Sequence, residues 1–115
     1  MLLTDDPTIR ALNRLHRGLD KATDVLSFPM DEEVLGDIVI SMDAARRQAE
    51  DPACAESRRR RLGLGPDVRW RLREETTFLL VHGLLHLLGH DHAEPDEETA
   101  MIDRERELMA GFLPR

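Results

Sequence analysis

Four of the chain's five histidines fall within eleven positions, in the segment His82-Gly83-Leu84-Leu85-His86-Leu87-Leu88-Gly89-His90-Asp91-His92. His82 and His86 are four residues apart, so on a helix their imidazoles lie on one face, one turn apart, and can share an ion. Gly89 stands where such a helix would stop, because glycine enters the left-handed region without a Cβ penalty. The chain can then turn back and let His92 close a third coordination position. Three protein nitrogens with a fourth position open to water is the arrangement of a catalytic zinc site rather than a structural one. His90 would lie on the ligand face only if the helix ran on through Gly89, so His92 is the favoured third ligand. A single histidine on an apolar face is ordinary core material. Three of them beside Leu84, Leu85, Leu87 and Leu88 would cost desolvation energy without a shared partner.

The spacing of His82, His86, Gly89 and His92 is that of the metzincin proteases, in which a glutamate after the first histidine serves as general base. Here that position is Gly83. A peptidase built this way would lack its base, which disfavours proteolysis. Zinc alone still brings the pKa of bound water to ~7 and can polarise a phosphoryl oxygen, so phosphodiester hydrolysis fits three histidines without the glutamate.

The elements that must carry these groups follow from periodicity. Ile9, Leu12 and Leu15 recur at helical spacing after Asp6-Pro7 and before Gly18, which predicts a helix over 7–17. Val25 to Phe28 and Leu35 to Ser41 read as strands. Ser41 or Asp43 can cap a helix through Ala44, Ala45 and Ala49 that ends near Asp51-Pro52. Residues 51–66 read as irregular, with Gly63, Gly65 and Pro66 as breakers. A long helical pattern then runs from Asp67 to Gly89, and a last helix from Asp96 to Met109. The mixed order of elements predicts an α+β fold, a small mixed sheet packed against helices with a zincin-like metal-binding helix, in one domain over 1–115.

Charge and composition narrow the function classes. A net charge of −7 argues against coating nucleic acid by bulk electrostatics. The charge is uneven: nine of the fifteen arginines lie between Arg46 and Arg73, and seven acids lie between Glu94 and Glu107. The run Arg58 to Arg61 reads either as a locally basic surface or as a solvated loop or helix end. Cys54 is the only cysteine, which excludes an internal disulfide framework, and nothing beside it would activate its thiol. No apolar run approaches membrane-spanning length, and Met1 to Arg10 lacks the form of a secretory leader, so the cytoplasm is the expected compartment.

Three blocks together resemble one family. The segment His82 to His92 is similar to the signature of the YbeY family of single-strand-specific endoribonucleases, His-Gly-x-Leu-His-Leu-x-Gly-Tyr-Asp-His, with His90 in place of tyrosine. Thr23-Asp24-Val25-Leu26-Ser27-Phe28-Pro29 and Leu35-Gly36-Asp37-Ile38-Val39-Ile40-Ser41 resemble its other two hallmarks. Asn13 and Arg17 sit where that family places an asparagine and a functionally important arginine. The match runs from residue 9 to residue 109.

The resemblance implies a zinc ion on His82, His86 and His92, with Arg17 as a catalytic or phosphate-binding group. It also implies cleavage of single-stranded RNA, with ribosomal RNA and the small ribosomal subunit as partners, in 3′-end maturation of the small-subunit RNA and in ribosome quality control. Without the resemblance, Arg17 would be a helix-end arginine beside the negative pole of the dipole. Asp24 and Asp37 read equally as turn residues and as groups orienting a ligand imidazole.

Three departures from the family pattern stand out. An N-terminal strand and helix are expected to be shortened or absent, residues 51–66 look inserted, and His90 is a possible fourth ligand or proton carrier. The competing expectations are a metallopeptidase and a non-catalytic, zinc-stabilised ribosome-binding module.

Overall fold

The computed structural model describes residues 1–30, 35–90 and 94–113. Its order of elements is β1 (Leu2–Thr4), α1 (Asp6–Arg17), β2 (Val25–Pro29), β3 (Gly36–Ser41), α2 (Met42–Glu50), α3 (Pro52–Arg61), α4 (Leu72–Leu87) and α5 (Pro95–Ala110). The expected α+β class is what the chain adopts. The strands form one mixed sheet in the order β1-β3-β2. β1 runs parallel to β3 with Leu3 opposite Ile40, and β2 runs antiparallel to it with Ser27 opposite Ile38. Three-residue β1 is too short to show alternation, which is why it is missing from the expected strands.

Local chemistry sets the helix ends. α1 is capped by Asp5, whose carboxylate accepts from the Thr8 amide at 2.9 Å, one residue earlier than the Asp6-Pro7 signal places it. Asp6 instead accepts from Ser41 Oγ and from Arg47, both at 2.7 Å, and so ties α1 to the start of α2. Ser41 is the cap of α2.

Residues 52–61 are helical, which corrects the irregular reading of 51–66. Asp51 is extended, with ψ 111, and its carboxylate accepts from the Ala53 amide. Pro52 occupies the first turn, where its missing N–H costs nothing. The Asp51-Pro52 pair that ends α2 therefore also starts α3, and the four arginines at the far end complement the helix dipole. α4 begins at Leu72, five residues after the expected start at Asp67. The preceding Arg71 is extended, and the Glu74 side chain returns to accept from its amide at 3.1 Å.

The main core gathers Ile38 and Ile40 of the sheet with Phe78, Leu79, Val81 and Leu85 of α4, and with Met101 and Met109 of α5. A smaller cluster joins Ile9 of α1 to Leu26 and Val39. α4 is thus packed against the sheet on one side and α5 on another. Among the described residues, no helix is long and apolar enough to cross a membrane.

Candidate metal centre and cleft

The sheet-facing side of α4 is set by Gly83. A Cβ built there would lie 3.1 Å from each of Ile38 Cγ2, Ser27 Oγ and Val25 Cγ2. Ser27 Oγ also donates to the Gly83 carbonyl at 2.9 Å, which locks β2 to the helix at this point. A glutamate here would have to enter the sheet, so the protease base is excluded by space as well as by sequence. Gly83→Ala gains about 1 kcal/mol of helix propensity but overpacks three contacts at a cost of about 1–3 kcal/mol. A net loss of about 1 kcal/mol is expected, read as a lowered urea midpoint. An unchanged or raised midpoint would mean that helix and sheet can move apart.

Another face of α4 turns Phe78, His82 and His86 toward a cleft of about 900 Å³. Phe78 and His82 are stacked with ring centroids 5.7 Å apart, and the His82 and His86 rings meet edge to face at 4.7 Å. The two Nε2 atoms lie 3.2 Å apart. Two nitrogens bound at 2.0–2.1 Å to one tetrahedral zinc are about 3.3 Å apart, so the separation of this pair matches that spacing. His82 Nδ1 lies 3.3 Å from Glu105 Oε2, and its Nε2 is the nitrogen that faces His86. α4 ends at Leu87 and Gly89 is left-handed at φ 93, as the turn requires. His90 follows and also lines the cleft. His92 and its neighbour Asp91 lie outside the described residues.

The end of α1 and strand β2 line the same cleft with His16, Arg17, Asp24, Ser27 and Phe28. The structure therefore brings Arg17 to the cavity of the histidine pair from sixty-five residues away in the chain. Its guanidinium is engaged by no ion pair among the described residues. Buried Asn13 donates to the Lys21 carbonyl at 2.9 Å and pins the loop that follows α1, which fixes where Arg17 emerges. His16 and Phe28 pair at 4.8 Å between centroids. Asp24 accepts from the Val25 amide and from Gln48, so it serves the turn. Asp37 accepts from the Ile38 amide and does not line the cleft.

Arg58 and Arg61 are neither a solvated run nor a free basic surface. Arg58, 19% exposed, makes a bidentate pair at 3.1 and 3.0 Å with Glu75, which is 0% exposed, and lies 4.4 Å above the Phe78 ring. Burial pulls the Arg58 guanidinium down, but the Glu75 carboxylate outweighs it and holds it above its ordinary value. Arg61 reaches Glu105 at 2.7 Å. Burial would raise the Glu105 carboxyl, yet the hydrogen bonds from His82 and Arg61 prevail and hold it below the usual range. Burial pushes the Cys54 thiol up, in keeping with a bland cysteine.

Sequence reasoning missed Glu75 and Glu105. The available signal was a carboxylate on an apolar stripe, since Met101, Glu105 and Met109 recur every four residues and all three are buried.

Comparison with known proteins finds relatives over most of the chain. Residues 1–113 match the family described as Endoribonuclease YbeY. The chain is similar to curated proteins of that name from Persephonella marina (45% identical, 87% of this chain and 60% of that protein), Aquifex aeolicus (48%, 84% and 57%) and Carboxydothermus hydrogenoformans (41%, 96% and 68%). It thus spans about three-fifths of the length of the first two. A solution structure from Thermotoga maritima is similar at 26% identity and a TM-score of 0.41, covering 96% of this chain and 70% of that one.

Proposed function

The chain belongs to the YbeY endoribonuclease family, and from that premise we propose that it is a zinc-dependent endoribonuclease that cuts single-stranded RNA. We further propose that it acts in the cytoplasm on ribosomal RNA of the small subunit, in 3′-end maturation and in ribosome quality control. The observation that carries the reading is the convergence of His82 and His86 Nε2 at 3.2 Å in a cleft that also holds Arg17.

His82 and His86 would hold the ion, with His92 as the third ligand. When bound, zinc supplies Lewis acidity toward a phosphoryl oxygen and makes water a usable nucleophile near neutral pH. Arg17 grips the phosphate through its planar fork and offsets negative charge that grows on the phosphoryl oxygens. The His16 and Phe28 rings offer an aromatic wall to an unstacked base, which a single strand can present and a duplex cannot.

The test is incubation with a labelled single-stranded RNA and with the same sequence in a duplex. Cleavage of the single strand alone, abolished by a chelator and restored by zinc, is expected. Intact RNA together with cut unfolded protein would overturn the reading in favour of a peptidase. Arg17→Ala should lower kcat by about 10²-fold with zinc content unchanged, since it removes one group that acts on transition-state charge. An unaltered kcat would leave Arg17 as a helix-end residue.

A further inference from the structure

We propose that Glu105 is the positioning residue of the histidine pair and that Arg61 of α3 holds it in place, so that an Arg61–Glu105–His82 relay presents the site for zinc. The inference rests on the zinc reading above. Glu105 is 0% exposed and stands between Met101 and Met109 on the buried stripe of α5. A methionine or leucine would complete that stripe, whereas a carboxylate there costs several kcal/mol unless both oxygens are engaged.

The two oxygens have different tasks. Oε1 accepts from Arg61 at 2.9 Å from Nε and 2.7 Å from the terminal nitrogen, while Oε2 faces His82 Nδ1 at 3.3 Å. An ionised carboxylate can only accept, so the imidazole hydrogen sits on Nδ1 and the lone pair on Nε2, the atom that faces His86. A carboxylate behind an imidazole both fixes the ring's tautomer and orientation and makes the ligating nitrogen more basic.

Arg61 is itself held from α5. Its backbone carbonyl accepts from Arg106 Nε at 3.0 Å, and its guanidinium lies 3.5 Å from Glu98. Arg61 is 21% exposed, so its guanidinium is largely withdrawn from water, and pairing with Glu105 offsets the desolvation of both charges. One carboxylate oxygen answers Arg61, and the other faces His82 on α4. The relay joins α3, α4 and α5 at the metal-holding histidine, and it gives the segment that looked inserted a part in the site.

Two measurements test this: nitrogen NMR of the zinc-free chain, and zinc affinity by competition with a chromophoric chelator for the chain, Glu105→Gln, Arg61→Met and the double variant. The His82 hydrogen is expected on Nδ1, and Glu105→Gln is expected to bind zinc about 10–100-fold more weakly. The double variant should be no weaker than Glu105→Gln alone, because Arg61 acts through the carboxylate. A hydrogen on Nε2 of zinc-free His82 would overturn the relay without any variant having to fold. So would a folded Glu105→Gln chain that keeps its affinity within twofold while the unaltered chain binds zinc. An unaltered chain that binds no zinc would overturn both the relay and the zinc reading, and that pattern separates the two failures.

Discussion

His86→Ala is expected to abolish RNA cleavage, by on the order of 10³-fold or more, with the fold intact. Its Nε2 is one of the two nitrogens that converge at 3.2 Å, so the alanine leaves His82 with half of the described donor pair. A 10³-fold loss corresponds to about 4 kcal/mol of transition-state stabilisation, the scale expected when the group supplying the electrophile is lost rather than weakened. His86 is only partly buried and lies near the end of α4, so truncation opens little core. Circular dichroism melting should stay within a few degrees of the metal-free parent. Cleavage that persists in a variant depleted of zinc would remove the ion from the mechanism. Normal zinc content with lost cleavage would give His86 a role other than ligation.

Glu75→Ala is expected to cost about 3–5 kcal/mol of stability. Glu75 is fully buried and accepts three hydrogen bonds, two from Arg58 and one from Trp70 Nε1 at 2.9 Å. The alanine leaves a mostly buried guanidinium without its counter-charge and an indole N–H without an acceptor, both more costly than the cavity itself. Against a total of roughly 5–15 kcal/mol for a domain, such a loss decides whether the chain folds at 37 °C. Glu75→Gln keeps the acceptor for Trp70 and should lose less. Urea unfolding of both variants checks this, and a loss below about 1 kcal/mol for the alanine would show that Arg58 finds water instead. The pair also bears on the cleft, because the same guanidinium lies over Phe78 and Phe78 stacks on His82.

How much of this was legible in the sequence depended on how local the signal was. The i,i+4 pairing of His82 and His86 and the stop at Gly89 are properties of one helix and the turn after it, and both read directly. Arg17 could be placed beside them only through the resemblance of three separated blocks, because no local pattern links the end of α1 to α4. The α3 helix was masked by its own composition: Pro52 reads as a breaker and Arg58 to Arg61 as solvent-facing charge. Proline at a first helical turn and arginines at a last one are in fact favourable. Glu75 and Glu105 were hidden for a different reason. Among 23 acidic residues, only the tertiary arrangement singles out Glu75, while Glu105 carried the faint signal of standing between Met101 and Met109 on one helix face. In the sequence Gly83 looks like a missing base, whereas the close approach of Val25, Ser27 and Ile38 shows that the packing itself calls for glycine.

X-ray absorption at the zinc edge of the purified chain puts the central claim to its most direct test. The expected result is one zinc per chain with imidazole nitrogens at about 2.0 Å, fewer than four ligands from the protein, and one imidazole lost in His86→Ala. A chain that takes up no zinc, or an ion closed off by four protein ligands, would contradict it.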